Sequence, residues 1–82
     1  MNATEIYNLA KSVNARKVAI EINIINREII DSASDGKYVI NIKIREYEVR
    51  KSVINYYRQL GYAVTASEDS EIILIDWKNI CN

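Results

Sequence analysis

Four carboxylates crowd one short segment: Glu68, Asp69, Glu71 and Asp76. Carboxylate oxygens at that density are the donor set of a hard divalent cation. The spacing argues against that use, because the segment has neither the turn glycine nor the ligand periodicity of a calcium loop. A solvated turn between two strands accounts for the same residues, with the charge keeping a sheet edge from pairing. General acid–base chemistry lacks its commonest residue, since the chain has no histidine. Cys81 is the only cysteine. A thiolate nucleophile needs a neighbouring base, and a structural zinc needs a cluster of thiolates or imidazoles. Neither can be assembled from these residue types. Gly36 and Gly61, the two glycines, sit where helices stop rather than in a phosphate-cradling loop. The expectation is a protein with no catalytic residue, no metal and no cofactor.

The other candidate chemistry is basic and aromatic. Lys37, Lys43, Arg45, Arg50, Lys51 and Arg58 fall in the middle of the chain, with Tyr47, Tyr56 and Tyr57 among them. Cationic and stacking side chains together can hold nucleic acid. Glu46 and Glu48 interrupt this group, and the formal net charge of the whole chain is zero. That balance gives no bulk attraction to a phosphate backbone or an anionic membrane. Nucleic acid is therefore not the expected partner. A basic middle and an acidic C-terminal turn could instead set register between identical copies or with a host partner.

A chain of 82 residues builds one domain with a modest core. Domains of this size gain stability from disulfides, metals or partners. A single cysteine excludes an internal disulfide and suits a reducing compartment. Oligomerisation is the remaining route. No apolar run approaches the roughly 20 residues of a membrane span. Met1-Asn2-Ala3-Thr4-Glu5 lacks the charged-then-apolar layout of a signal peptide. The expected setting is soluble and intracellular, or inside an assembled particle.

The elements follow from periodicity and stop signals. Asn2 and Glu5 have capping-box spacing. No proline or glycine occurs between Ala3 and Ser34, and Asp35-Gly36 then ends the helix. One long helix is expected there, or two broken near Asn14, with residues 1–17 able to project as an arm. From Lys37 to Arg45 the residues alternate. Tyr38, Ile40, Ile42 and Ile44 point one way, while Val39, Asn41, Lys43 and Arg45 point the other. Glu46 to Leu60 reads as a second helix with a stripe of Val49, Val53, Tyr56 or Tyr57, and Leu60. Gly61 is its left-handed stop. A hairpin follows, Tyr62–Ala66 and Ile72–Trp77. Its last strand is apolar on both faces, as befits a strand that is central or covered twice. The order helix, strand, helix, strand, strand predicts a two-layer α+β domain with a small three-stranded sheet. The expected core is Ile25, Ile29, Ile40, Ile42, Val53, Leu60, Val64, Ile73, Ile75 and Trp77.

The first helix carries one apolar face too many. At about 100° per residue, Val18, Ile22, Ile25, Ile29 and Ala33 share a face. Ile6, Leu9, Val13, Ile20 and Ile24 fall roughly opposite. A surface helix of a small monomer needs only one stripe. The second is expected to be an interface with another chain, either a second copy or a larger partner. A break at Asn14 would fold Ile6, Leu9 and Val13 back onto the core, yet leave Ile20 and Ile24 outside.

Three segments carry a resemblance. They are Ser32-Ala33-Ser34-Asp35-Gly36-Lys37 with the alternating strand after it, Leu60-Gly61-Tyr62-Ala63-Val64, and Ile73-Leu74-Ile75-Asp76-Trp77. Together they resemble a pattern found in small proteins of tailed bacteriophages, over about Ile22 to Trp77. In that pattern a helix ends in small residues and Gly-Lys. A strand follows, then a helix ending Leu-Gly-Tyr, then a hairpin ending Ile-x-Ile-x-Trp. The resemblance implies the architecture and brings no catalytic residues. It implies a virion component or a free protein made during infection. The first expectation is a non-catalytic phage structural or assembly protein, in the virion, binding itself or larger virion proteins. The alternative is a phage-encoded inhibitor acting in the host cytoplasm on a host or defence protein.

Overall fold

The computed structural model describes residues 2–67 and 69–78. Two helices lie on one face of a three-stranded antiparallel sheet, an α+β fold in two layers. The elements are α1 (Ala3–Ser34), β1 (Val39–Lys43), α2 (Tyr47–Gln59), β2 (Ala63–Ala66) and β3 (Ile72–Asp76). α1 keeps the expected bounds, while β1, α2, β2 and β3 are a residue or two shorter at one or both ends than the sequence pattern implies.

Helix α1 is continuous, with no break at Asn14. Asn2 caps it, its Oδ1 accepting from the Glu5 backbone N–H at 2.9 Å. The isoleucines between positions 20 and 30 favour strands by propensity. Here Ile25 and Ile29 are buried and Val18 and Ile22 partly so, so helical spacing against a core overrides the local preference. Ala33, expected on this face, is exposed because the helix has run past the packed region.

Both helices end in the same device. At the end of α1, the Gly36 N–H donates to the Ala33 carbonyl and the Lys37 N–H to that of Ser32. At the end of α2, the Gly61 N–H donates to Arg58 and the Tyr62 N–H to Tyr57. This is the Schellman arrangement, which requires a left-handed residue at the first position past the cap. Gly36 and Gly61 have φ of 80° and 99°. The accompanying apolar contact at the end of α2 is Tyr62 against Tyr57, with ring centroids 5.5 Å apart and nearly perpendicular planes.

That contact explains one correction. Leu60 was expected in the core and is 58% exposed. It is the cap residue of α2, and Tyr62 returns over Tyr57 in its place. Tyr57 itself is fully buried and Tyr56 exposed, which resolves the stripe as Val49, Val53 and Tyr57.

Strand β3 is central, in the order β1-β3-β2. Ile40 pairs with Ile75, Ile42 with Ile73, and Val64 with Ile75. Their side chains meet the helices. Ile40, Val64, Ile73 and Ile75 are buried there, with Ile44 just past β1. Ile42 and Trp77, expected in the core, are only partly buried against it. Tyr38 precedes the strand and is exposed. Strand β3 is not covered twice: Ile72 and Leu74 lie on the open sheet face.

The two helices run in the same direction. Contacts between them keep chain order, Lys17 to Glu46 at 2.8 Å and Asn26 to the Tyr57 hydroxyl at 2.7 Å. α1 therefore extends beyond the start of α2 by about 20 Å. None of residues 2–13 is buried. The molecule measures 51 × 24 × 24 Å.

Candidate functional site

Once the core is assigned, the five residues Ile6, Leu9, Val13, Ile20 and Ile24 form one line along α1. A continuous helix places them within about a 60° arc, at about 100° per residue. The arc lies away from Val18, Ile22, Ile25 and Ile29, which face the sheet and α2. All five are between 38% and 56% exposed. From Ile6 to Ile24 the line is about 27 Å long. Isolated apolar residues on a surface need no explanation, whereas an aligned set this long does.

Arg16 and Lys17 flank the gap between the line's two apolar groups, and Arg27 and Asp31 continue the same arc beyond Ile24. Lys17 is drawn sideways: its Nζ donates to both carboxylate oxygens of Glu46, at 2.8 and 3.0 Å. Both partners are about half exposed, so this ion pair is worth at most about 1 kcal/mol. Its effect is positional. It holds the lysine off the stripe and beside the start of α2. Glu46 thereby acts as a partner for α1 rather than as a side-chain cap of α2.

Three residues of the basic middle, Arg50, Arg58 and Lys43, are engaged in structure. The Arg50 guanidinium donates to the Ile44 carbonyl at 2.7 Å and to that of Arg45 at 3.3 Å, and lies over the Tyr47 ring. Arg58 donates to the Val64 carbonyl at 2.8 Å, tying α2 to β2. Lys43 approaches Glu71 at 3.9 Å. A cleft lined by Tyr47, Arg50, Lys51 and Arg58 does exist, but its two arginines hold the chain's own carbonyls.

The acidic segment does not converge. Asp76 Oδ1 accepts from the Lys78 backbone N–H at 2.7 Å, and Glu71 faces Lys43. Glu68 and Cys81 lie outside the described residues. Among the described residues, no three metal-ligating side chains come together. Among the described residues, no helix is long and apolar enough to cross a membrane.

Among the described residues, the strongly perturbed titratable group is Tyr57. Burial, reinforced by the neighbouring Tyr56 and Tyr62, pushes its hydroxyl up to about 12. It donates to Asn26 Oδ1 and lies 3.2 Å from the Ile22 carbonyl. The side chain is fully buried and its hydroxyl bonds to α1, so it locks α2 against α1.

The sequence pattern alone does not reveal the open sheet face as a surface. Val39, Ile72 and Leu74 stand on it, 36% to 50% exposed. Alternation showed Ile72 and Leu74 pointing away from Ile73 and Ile75. Register was the missing information: Leu74 lies between Asn41 and Thr65, and Ile72 beside Lys43. Polar neighbours interrupt this face, so the stripe on α1 is the more continuous apolar surface. No family model matches the chain, and neither a curated protein nor a solved structure matches it.

Proposed function

We propose that the chain is a non-catalytic structural or assembly protein of a tailed bacteriophage, acting in the virion through contacts with itself or with larger virion proteins. The observation that carries this reading is the uncovered line Ile6, Leu9, Val13, Ile20 and Ile24 on a helix that outruns its own domain. The gain from burying such a surface grows with the apolar area removed from water. A partner chain is the natural source of that cover. The phage setting rests on the resemblance of Ile22 to Trp77 to small phage proteins.

An inhibitor of a host or defence protein is the second reading. The open sheet face favours it, since Val39, Ile72 and Leu74 give a binding surface that needs no second copy.

Mass spectrometry of purified virions separates the two. The structural reading expects the chain at a fixed ratio to known virion proteins, and expects Ile20→Glu with Ile24→Glu to remove it from particles. A chain absent from particles and recovered with a host protein from infected cells would overturn it in favour of the inhibitor.

A further inference from the structure

The fold sorts the charges of α2 in a way that the linear order hides. In sequence, Glu46 and Glu48 interrupt the basic and aromatic residues. In the structure the Glu46 carboxylate turns to Lys17 on α1. Glu48 lines a separate groove against α1, with Tyr7 and Lys11. The flank of α2 beside β2 is left with Tyr47, Arg50, Lys51, Asn55 and Arg58, which line an open cleft of about 310 Å³ with Ala66 and Ser67. No described carboxylate is among its walls. Both arginines are anchored. Arg50 uses one terminal nitrogen on the Ile44 and Arg45 carbonyls and lies over the Tyr47 ring. Arg58 uses one on the Val64 carbonyl. A guanidinium carries five N–H donors in a planar fork, so each anchored side chain keeps donors for a ligand. Side chains already held in place lose little more freedom on binding.

We infer that this cleft binds single-stranded nucleic acid, with phosphates on Arg50, Lys51 and Arg58 and a base on the ring of Tyr47. The two arginine anchors are far apart. The Ile44 N–H donates to the Glu71 carbonyl, whereas Val64 pairs with Ile75. Four residues of β3 therefore separate them, about 13 Å. One phosphate cannot reach both ends of such a row, and a strand with a phosphate on every nucleotide can. Arg50 covers one face of the Tyr47 ring, and the residue is 62% exposed, so the other face is open to a base. Base stacking on an aromatic ring beside a cationic groove is how single strands are held without sequence preference. An acidic peptide would meet the cations and leave the ring unused. In a duplex the bases are already stacked on one another. No residue of α1 lines the cleft, so this inference stands apart from whatever covers the stripe.

The test is fluorescence anisotropy of a labelled oligothymidylate, about ten nucleotides long, titrated with the purified full-length chain at low salt. Micromolar binding is expected. Log affinity should fall against log salt with a slope of about −2, as three cations on a single strand imply. Tyr47 and Lys51 are exposed, so both can be changed without disturbing the core. Tyr47→Ala should weaken binding at least about fivefold, the lower end of what stacking contributes. Lys51→Gln should weaken it and flatten the slope by about 0.7. Circular dichroism and the melting curve should stay unchanged in both. Lys11→Gln removes the same charge from α1 and should leave affinity within about twofold, because salt screens distant charges. No binding at several hundred micromolar protein overturns the inference. An equal loss in Lys11→Gln does so too, since it would mean diffuse attraction. Displacement of the strand by polyglutamate or inorganic phosphate at matched charge would reduce the cleft to an anion site and overturn it. Tighter binding of the matching duplex would also overturn it.

Discussion

Gly61 shows how much one residue's backbone decides. Its φ of 99° lies in a region that residues bearing a Cβ avoid. A Cβ built there would meet nothing within 4 Å, so replacement carries a backbone cost with no steric clash. Gly61→Ala should lower stability by about 1 kcal/mol, and Gly61→Val by more, since β-branching narrows the choice further. Urea unfolding of both variants checks the order; equal stability of the valine variant and the parent would sink it. Tyr57 makes the matching point for a buried polar group. Its hydroxyl titrates near 10.0 in the unfolded chain and near 12 in the folded one. The folded state therefore favours the protonated form. The stability this contributes is complete below pH 10 and drains away as pH rises through 12. Unfolding followed between pH 9 and 12 should show that decline, and Tyr57→Phe should remove the part due to this group. Gly61 was legible in the sequence because a glycine after Tyr57-Arg58-Gln59-Leu60 has one common use. Tyr57 was not resolved from Tyr56, because adjacent residues differ by only about 100° on a helix. Its hydrogen bond to Asn26 depends on how two helices pack, which no local pattern contains.

At the scale of elements, helices and strands followed local signals closely, and burial followed them less well. Ile73 and Ile75 alternate with Ile72 and Leu74 as a strand must. Which pair faces the helices is decided by pairing to Ile40, Ile42 and Val64. Ile75 is fully buried and Ile42 only partly. Ile75→Ala should therefore cost about 2–5 kcal/mol. That is a large share of what a domain of this size possesses, roughly 0.05–0.15 kcal/mol per residue. Ile42→Ala should cost clearly less. Thermal melts of the two variants give the comparison, and a larger loss at Ile42 would mean the inward face is misassigned. Leu60 was misread because its angle on α2 is right while its position along the axis is wrong. The helix ends there, and Tyr62 comes back to cover Tyr57. The stripe Ile6, Leu9, Val13, Ile20 and Ile24 was legible as a pattern because it needs only an unbroken helix.

At the scale of the molecule, an arm and a head have different dependence on each other. The radius of gyration is 14.6 Å, against about 12 Å for a compact chain of this length. The excess comes from the part of α1 before Asn14, where no residue is buried. Short isolated helices are marginal in water because nucleation is costly. This arm avoids nucleation by continuing a helix already fixed at Ile22, Ile25 and Ile29. Its own stability is therefore low, while the head does not need it. Removing residues 1–13 should change the unfolding free energy of the dilute protein by less than about 1 kcal/mol. The new end falls at Asn14, a residue type that caps helices well, and the Lys17–Glu46 pair is kept. The radius of gyration by X-ray scattering should fall toward about 11 Å, as expected of a compact chain of the shortened length. Entry into virions should be lost with Ile6, Leu9 and Val13. In virions, amide exchange across Ala3–Val13 should be slower than in the isolated chain, because covering the stripe raises the free energy of local opening. Exchange in the head should not respond. A shortened chain that fails to fold would show the arm to be part of the folding unit, and the division into arm and head would fall with it.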